Sequence, residues 1–441
     1  MQTQFTPEQL RDPHMASSEG ILRNCVHCGF CTATCPTYVL LGDENDSPRG
    51  RIYLIKDMLE SGKPPSAETV QHVDRCLSCL SCMTTCPSGV NYMHLVDHAR
   101  VYIERHYSRP WPDRLLRRVL GLVLPKPAVF RLALLGARLV KPFLGLMKPA
   151  TSLGHPTLLS RVKAMLSLAP ASLPAASPTD QPQVFLAEGV RRARVALMVG
   201  CAQKVLAPAI NESTIRLLTR HGCEVVVAPG SGCCGALTHH LGQDSHGYAQ
   251  ANIDAWAPMI ERGELDAIVI NASGCGTTVK DYGFMLRDDA AYAAKAAAVS
   301  ARTRDIAELM GELGLMPAKP GLLAGPIAYH SACSLQHGQQ VRTQPKALLE
   351  AAGFQVADIP DGHLCCGSAG TYNIMQPEMA TALRDLKVRN IERIQPVAVA
   401  AGNIGCLTQI GNGTALPVVH TVELLDWATG GPKPEVLGKL H

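Results

Sequence analysis

Short runs of apolar, β-branched residues recur along the second half of the chain, and each ends in a turn that carries glycine and cysteine. The runs are RVALMVGC, CEVVVAPGSGCCG and DAIVINASGCG in residues 194–276, then GPIAYHSAC, FQVADIPDGHLCCG and PVAVAAGNIGC in residues 325–406. Stretches with helical periodicity separate them, for example NESTIRLLTRHG (211–222) and PEMATALRDLKVRNIERI (377–394). Alternating strand and helix patterns of this kind predict parallel α/β sheets.

The cysteines of these turns recur at a constant spacing, which predicts an internal duplication. Three of them have an equivalent 132 residues later, and a fourth has one 131 residues later. Each follows a strand, so we expect the four thiols of one repeat to meet at the carboxyl edge of one sheet, where open parallel sheets bind ligands. We name the two clusters CCG sites after their Cys-Cys-Gly turns. The first CCG site is Cys201, Cys233, Cys234 and Cys275, and the second is Cys333, Cys365, Cys366 and Cys406.

Adjacent cysteines in a glycine-rich turn predict that each CCG site binds metal. Neighbouring thiolates fit one tetrahedral zinc ion poorly but can take different irons of a cluster, and glycine lets backbone N–H groups approach sulfur. A four-cysteine zinc site and a metal-free redox thiol site remain open as alternatives. Cys223 has Gln355 at the equivalent position of the second repeat, which predicts that Cys223 is a core residue.

Two further cysteine motifs occupy the first hundred residues. CVHCGFCTATCP (25–36) and CLSCLSCMTTCP (76–87) both read C-x2-C-x2-C-x3-C-P. Proteins with two [4Fe–4S] clusters use this run, and the fourth cysteine of each run ligates the other cluster. Zinc sites normally use C-x2-C pairs or mixtures of Cys and His, so these four-cysteine runs are not typical of zinc sites. The first ferredoxin site is then Cys25, Cys28, Cys31 and Cys86, and the second is Cys76, Cys79, Cys82 and Cys35.

A basic, leucine-rich stretch (108–150) follows these motifs, with nine Lys or Arg and one acid, Asp113. We expect helices that pack on the protein's own core and leave a solvated basic edge. The alternative is a surface that rests on anionic lipid or on a partner subunit. A Pro/Ala/Ser-rich linker (168–183) marks a domain boundary. The helical pattern places Arg131, Arg138 and Lys141 on one face, opposite Leu132, Leu135 and Leu139.

Composition and charge narrow the function classes. A net charge of +4 over 441 residues argues against a nucleic-acid-binding protein. The N-terminus lacks a basic segment followed by an apolar run, so we expect no signal peptide and a cytoplasmic location. In a reducing compartment, clustered cysteines indicate metal or redox chemistry rather than disulfides. No apolar run reaches the roughly 18 residues that span a bilayer.

The whole chain, from about residue 14 to 432, resembles the family of bacterial glycolate oxidase iron–sulfur subunits. The resemblance rests on NCVHCGFCTATCPTYVLLGDENDSPRGRIYLIK, SGCGTTVKDYG, AYHSACSLQHGQ, HLCCGSAGTYN, AAGNIGCLTQI and VVHTVELLDWATGG. More broadly, the order of motifs is similar to heterodisulfide reductase subunits and to the anaerobic glycerol-3-phosphate dehydrogenase C subunit. Heterodisulfide reductases end this pattern in a further C-x2-C, whereas this chain has CGTT (275–278) and CLTQ (406–409).

The resemblance implies an electron-transfer role. A separate FAD subunit would oxidise the hydroxy acid, and this chain, peripheral on the inner membrane, would carry the electrons through its [4Fe–4S] clusters towards quinone. The residues agree, since no G-x-G-x-x-G opens a helix after a strand. Alternatives are a thiol/disulfide or quinone reductase centred on a CCG cluster, and a subunit of a lactate or glycerol-3-phosphate dehydrogenase. A zinc-stabilised scaffold would require the N-terminal motifs to be coincidental.

The predicted fold is α+β and multidomain. A helical two-cluster ferredoxin domain (1–107) is followed by the connector with its linker (108–190) and by two α/β CCG domains with parallel sheets (191–317 and 318–441). Four histidines beside the CCG cysteines are candidates for proton transfer at a quinone site, although each is also a plausible helix cap or core-edge residue. They are His239, His240, His330 and His337, and His330 is the preferred candidate because it ends a strand beside Cys333.

Overall fold

A computed structural model describes residues 1–149 and 152–438. Residues 150–151 and 439–441 lie outside these ranges, so the last residue of the basic stretch and the end of the second predicted CCG domain are not described. The predicted α+β class is confirmed, with a helical N-terminal part followed by two mainly parallel sheets. No helix within the described ranges is long and apolar enough to cross a membrane.

The N-terminal part, as far as it is described, has six α-helices around one apolar core. Leu22, Ile55, Leu59 and Leu95 are fully buried in this core. Several helices begin at a side-chain cap, as at Ser47, whose hydroxyl accepts a hydrogen bond from a backbone N–H of the first turn. The helices are α1 (Pro13–Arg23), α2 (Pro36–Leu41), α3 (Pro48–Ser61), α4 (Ala67–Asp74), α5 (Ser81–Thr85) and α6 (Tyr92–His106).

Three helices form the connector, and the orientation of the second contradicts the sequence expectation. They are α7 (Trp111–Val123), α8 (Pro127–Val140) and α9 (Leu158–Leu168). Of the α8 residues, only Leu134 is buried. The leucines expected to face the core are exposed: Leu132 at 70%, Leu135 at 46% and Leu139 at 78%.

Part of the predicted basic edge of α8 faces the protein instead. Arg131 donates a hydrogen bond to the carbonyl of Pro174 at 2.8 Å, and Lys141 donates one to the carbonyl of Ala169. Only Arg138 of the three basic residues is exposed, and it lies among the exposed leucines. The reason is that long basic side chains can reach unpaired backbone carbonyls of the linker, which a leucine cannot satisfy.

The first CCG repeat is a five-stranded sheet in the order β1–β3–β2–β4–β5, in which only β1 is antiparallel to its neighbour. Its strands are β1 (Gln183–Phe185), β2 (Ala193–Leu197), β3 (Cys223–Val227), β4 (Ala267–Ile270) and β5 (Thr303–Asp305). Its helices are α10 (Ala202–Leu206), α11 (Ala209–Arg220), α12 (Ala236–His240), α13 (His246–Glu261), α14 (Ser273–Lys280), α15 (Tyr282–Met285), α16 (Ala293–Arg302) and α17 (Ile306–Leu313).

The second repeat is a parallel four-stranded sheet in the order β7–β6–β8–β9. Its strands are β6 (Ile327–His330), β7 (Val356–Asp358), β8 (Ala398–Ala401) and β9 (Val418–His420). A π-helical turn (Ser334–Gly338) follows the first of them. Its α-helices are α18 (Gln344–Ala351), α19 (Tyr372–Met375), α20 (Pro377–Glu392), α21 (Ile404–Gly411) and α22 (Thr421–Ala428).

One apolar core joins the two repeats. Helix α11 packs on α22, and α17 packs on α18. Val195 and Val225 of the first sheet belong to the same buried cluster as Ile327 and Val419 of the second. The sheets therefore share their interior, and the carboxyl ends of their central strands approach each other: the Ser273 N–H donates to the Gly402 carbonyl at 3.3 Å.

The helical N-terminal part is docked on both repeats through polar contacts. On the first repeat, His239 Nε2 lies 3.2 Å from Asp97 Oδ2. On the second, the Thr84 hydroxyl lies 2.7 Å from His337 Nδ1. These contacts hold the ferredoxin cysteines against the CCG domains.

Candidate metal centres

The cysteines of the first ferredoxin site surround a small cavity at the outer end of the N-terminal part. Cys25, Cys28, Cys31 and Cys86 all line this cavity. The loop bends tightly around it, with φ of 53° at His27 and 84° at Gly29. Burial raises the pKa of the Cys31 thiol to about 11, and the neighbouring Cys25 contributes in the same direction. A metal ion would remove this proton, because cysteine binds metal as the thiolate.

The second ferredoxin site is buried deeper. Cys35, Cys76, Cys79 and Cys82 line one small cavity together with Arg51 and Tyr92. Backbone and side-chain donors point at the sulfur atoms: the Ser78 N–H lies 3.4 Å from Cys76 Sγ, and the Tyr92 hydroxyl lies 3.8 Å from the same atom. Arg51 Nη1 lies 3.8 Å from Cys35 Sγ.

A buried charge network supports the second ferredoxin site. The Asp46 carboxylate is fully buried and accepts hydrogen bonds from Arg51 at 3.2 Å and from Arg75 at 2.7 Å, while His72 Nδ1 lies 3.0 Å away. Burial alone would raise the pKa of Asp46, but His72 and the two guanidinium groups outweigh it and lower the pKa. Asp46 thus fixes Arg51 beside Cys35.

The first CCG site brings its four predicted cysteines together at the carboxyl edge of the first sheet. All four line one cavity, and Cys201, Cys233 and Cys234 are buried. Thiol hydrogen bonds from Cys201 and Cys234 lower the pKa of Cys233 and raise the pKa of its two partners. The Gly235 N–H lies 3.4 Å from Cys233 Sγ.

The second CCG site groups its cysteines in the same way. Cys333 and Cys365 have their sulfur atoms 3.7 Å apart, and Cys366 interacts with both Cys365 and Cys406. The hydrogen bond with Cys365 alone would lower the pKa of the Cys366 thiol, but Cys406 and burial outweigh it and raise the pKa well above its usual range. Gly367 closes the turn at φ 88°, and a Cβ there would lie 2.4 Å from the Ala380 carbonyl oxygen, so only glycine fits.

His330 distinguishes the second CCG site from the first. One ring nitrogen of His330 and the sulfur atoms of Cys366 and Cys406 all lie within 4.8 Å of one another, so these three residues could share a metal ion. His330 is 1% exposed, and neither ring nitrogen has a hydrogen-bond partner among the described residues. Burial lowers its pKa to about 3, so the ring is neutral and able to ligate. The equivalent residue of the first repeat is Met198.

Three of the four sites, namely the two ferredoxin sites and the second CCG site, adjoin one another in series. Cys82 lines the cavities of both ferredoxin sites. Cys79 packs in one apolar cluster with Cys365, and Cys333 packs against that cluster. The second ferredoxin site therefore abuts the second CCG site, although the two lie more than 240 residues apart in sequence.

The donor sets fit iron–sulfur clusters. Each site offers four cysteine sulfurs, several with backbone N–H groups directed at them, which is the surrounding that stabilises cluster sulfur and thiolate charge. The positions where a further C-x2-C cysteine would stand hold Thr278 and Gln409. Both are buried, and Gln409 donates to the Ala380 carbonyl at 3.1 Å, so neither residue supplies a thiolate.

Comparison with known proteins places this chain in a family. A 4Fe-4S dicluster domain model matches residues 21–90, and a cysteine-rich CCG domain model matches residues 195–280 and 327–411. The glycolate oxidase iron–sulfur subunit of Escherichia coli (strain K12) is 43% identical over 97% of this chain and 99% of that protein. The chain belongs to the glycolate oxidase iron–sulfur subunit family. It is an iron–sulfur protein with a duplicated CCG domain.

Other relatives extend the comparison. The probable glycolate oxidase iron–sulfur subunit of Bacillus subtilis (strain 168) is 30% identical over 93% of this chain and 95% of that protein. The lactate utilization protein A of the same organism is 27% identical over 53% of this chain and 99% of its own length. A crystal structure of a hypothetical protein from Helicobacter pylori has a TM-score of 0.54 at 10% identity, covering 98% of this chain and 76% of that chain, which shows similarity of fold alone.

The four candidate histidines lie in different surroundings. Burial would lower the pKa of His239, but the Asp97 carboxylate outweighs it and raises the pKa. Burial and then Arg100 lower the pKa of His240 to about 4. His337 bonds to the N-terminal part as described above. Only His240 of the four lines the cavity of the first CCG site.

Sequence reasoning missed two groups of residues. Asp46, the centre of the buried charge network, lies in GDENDSPRGR (42–51), where one acid among several gives no signal of burial. The apolar side chains of the connector that enclose the first CCG site were also missed, because only the fold brings α7, α8 and α9 to it. The recurrence of small and apolar residues on the second face of α8 (Phe130, Ala133, Leu134, Ala137) was the available signal.

Proposed function

We propose that the chain is the electron-transfer subunit of a glycolate oxidase complex, carrying electrons from a partner FAD-containing subunit to a quinone. The observation that supports this role best is the packing of Cys79 and Cys365 in one apolar cluster, which makes the second ferredoxin site and the second CCG site neighbours. Iron–sulfur clusters exchange single electrons, so a series of adjoining sites suits relay chemistry. The 43% identity to a glycolate oxidase subunit supports glycolate as the partner's substrate.

In this proposal each ferredoxin site holds one [4Fe–4S] cluster with the ligands given above, and each CCG site holds a further iron–sulfur cluster or zinc. The protein's own groups exclude water and supply donors to sulfur. Arg51 and Tyr92 do so at the second ferredoxin site, and the glycine turns do so at the CCG sites. The proposal includes the predicted domain boundaries, which follow residues 107, 190 and 317.

We further propose that the connector rests on a membrane surface. Large apolar side chains stand exposed on α7, on α8 and on the turn after it, among them Trp111 at 66%, Leu122 at 60% and Leu146 at 79%. Basic residues are exposed among them: Arg114, Arg118, Lys126, Arg138 and Lys148. An apolar face interspersed with cations matches an interface of acyl chains and anionic headgroups. Binding should therefore require anionic lipid and weaken with salt.

Lactate is the second candidate for the partner's substrate. The match to lactate utilization protein A supports it, since that protein is covered over 99% of its own length. Because the substrate is oxidised on the flavin subunit, the choice is tested there. The purified complex should turn over glycolate with the higher kcat/KM, and a clear preference for lactate would reverse the assignment.

The relay itself is tested on anaerobically purified protein. We expect at least eight irons per chain and no glycolate oxidation by the isolated chain, with dye reduction restored by the flavin subunit. Replacing both Cys233 and Cys234 by Ser should remove the metal of the first CCG site, leave the ferredoxin iron and reduce electron flow to quinone more than to dye. Four irons or fewer in spectroscopically fully occupied protein, or full metal content and quinone activity in the double variant, would contradict the proposal.

A further inference from the structure

An apolar cavity of about 360 Å³ lies between the connector and the first CCG site. Its volume falls within the range of cavities that bind small molecules. Cys201, Cys233, Cys234 and Cys275 line one part of it. Helices α7, α8 and α9 line another, through side chains such as Leu120, Phe130, Leu134 and Met165. Apolar side chains from three helices cannot ligate a metal, so this cavity extends beyond what the metal site requires.

The cavity reaches the surface that carries the exposed apolar patch of the connector. Val119 on α7 and Ala133 on α8 are exposed to solvent, and both line the cavity. The same two helices therefore present apolar residues outwards and enclose the cavity on their inner faces. A ligand with a long apolar segment could reach the first CCG site from a membrane surface without crossing water.

Two polar residues that line the cavity each have a buried atom without a hydrogen-bond partner among the described residues. These atoms are His240 Nδ1 and Gln203 Oε1. Gln203 is 3% exposed, and its amide nitrogen is already used by Asn211 and Asn271 at 2.7 Å each. Buried polar atoms normally find a partner, so these two point to a polar ligand group. Nδ1 can donate to a carbonyl, and Oε1 can accept from a hydroxyl.

We propose that this cavity binds a lipid-soluble quinone, with its ring beside the first CCG site, near His240 and Gln203, and its apolar tail between α7 and α8. The ring takes up two electrons from the metal centres and two protons from water; two C=O bonds become C–OH, and the quinol leaves by the same route. This inference rests on the proposed function, since the electrons come from the substrate oxidised on the flavin subunit.

The residues on α8 allow a direct test with a matched control. Ala137 lines the cavity, whereas Ala128, on the same helix, is exposed and does not line it. We expect Ala137→Phe to lower the affinity for a short-tailed azidoquinone photoprobe at least tenfold, because the ring would fill the cavity. Ala128→Phe should bind the probe as the unaltered chain does. Should Ala137→Phe fail to fold, Ala133→Phe narrows the cavity from the same helix.

Photolabelling of the full metal-loaded chain, mapped by mass spectrometry, locates the probe. Labels on α7, on α8 or on Cys201–Gln203 at the start of α10, lost in Ala137→Phe, would support the proposal. An isoprenoid alcohol of equal tail length should compete at least tenfold less well; equal competition would show a general apolar cavity and overturn the quinone assignment. Labels elsewhere would also overturn it.

Activity separates this inference from the proposed function. In the complex, Ala137→Phe should lower the ratio of quinone to dye reduction at least tenfold. If quinone and dye are both reduced but the ratio does not change, the cavity assignment fails and the relay stands. If the complex delivers no electrons to dye, the relay fails, and the photolabelling still decides whether the cavity binds quinone.

Discussion

Replacing Asp46 by Asn should destabilise the helices around the second ferredoxin site. Asp46 is fully buried, and its carboxylate neutralises Arg51, which is 1% exposed, and Arg75, which is 4% exposed. Asparagine keeps the shape but removes the charge, so two buried guanidinium groups would lose their anion. Breaking a buried ion pair from one side costs about 3–5 kcal/mol. A loss of about 3 kcal/mol corresponds to a roughly 150-fold change in an equilibrium constant.

Hydrogen exchange of the full chain measures this loss locally. Amides of α3 should exchange roughly 100-fold faster in the Asp46→Asn variant. Asp43→Asn is the matched control, because Asp43 lies three residues away, is exposed, and should change exchange less than about threefold. Since the pKa of Asp46 is lowered on folding, its contribution is present above its unfolded pKa of 3.8 and disappears as the pH falls through the folded value. An increase below fivefold in α3 would refute the argument that the network is held by charge.

Three further changes test other parts of the structure. Gly367→Ala should lower the free energy of unfolding by about 2 kcal/mol or more and release metal from the second CCG site, because Gly367 has a positive φ and lies close to the Ala380 carbonyl. The control is Gly232→Ala in the corresponding turn of the first repeat, where the added methyl group meets open space, and it should leave thermal stability and metal content unchanged. A larger loss in Gly232→Ala than in Gly367→Ala would contradict the geometry. The contact of His239 with Asp97 is strongest while His239 is protonated. Its contribution to the free energy of unfolding, roughly 1 kcal/mol, is therefore present below pH 6.5 and is lost as the pH rises through the raised pKa of His239 in the folded protein. Hydrogen exchange of the α12 amides, corrected for intrinsic rates, should therefore become faster from pH 6 to pH 9. An equal increase in the His239→Gln variant would show that the change does not depend on the contact of His239 with Asp97. Cys223→Ala should cost about 1 kcal/mol in urea unfolding and keep all metal, since this thiol is fully buried in the core; metal loss would show that it is a ligand.

The local features of the fold could be predicted from the sequence, whereas the relation between distant elements could not. Every Gly/Cys turn after an apolar run lies at a strand end, because a short β-branched run between helices has few other ways to bury itself. The predicted orientation of α8 was wrong, because periodicity identifies the two faces of a helix but does not tell which face packs against the rest of the protein. Leu132 and Leu139 are exposed because Arg131 and Lys141 face the linker and donate hydrogen bonds to its carbonyl groups.

The site followed the same division. Spacing alone grouped the cysteines, since ligands of one cluster must come from motifs of fixed length. Local sequence does not encode which site lies beside which, because Cys79 and Cys365 share one apolar cluster only after the N-terminal helices have docked on the sheets. His330 was noticed for its position beside Cys333, yet the chain folds it against Cys366 and Cys406.

The common interior of the two repeats has a consequence for how such proteins can evolve. Either repeat alone would expose the apolar side of α11 or α22, so a gene encoding a single repeat would yield a chain that must pair with a copy of itself. In a fused pair, each repeat covers the apolar side of the other, so the chain no longer needs a second copy. The two repeats can then differ in sequence, as they do at the equivalent positions Met198 and His330. The heritable unit should thus be the fused pair, to which other modules are added or lost.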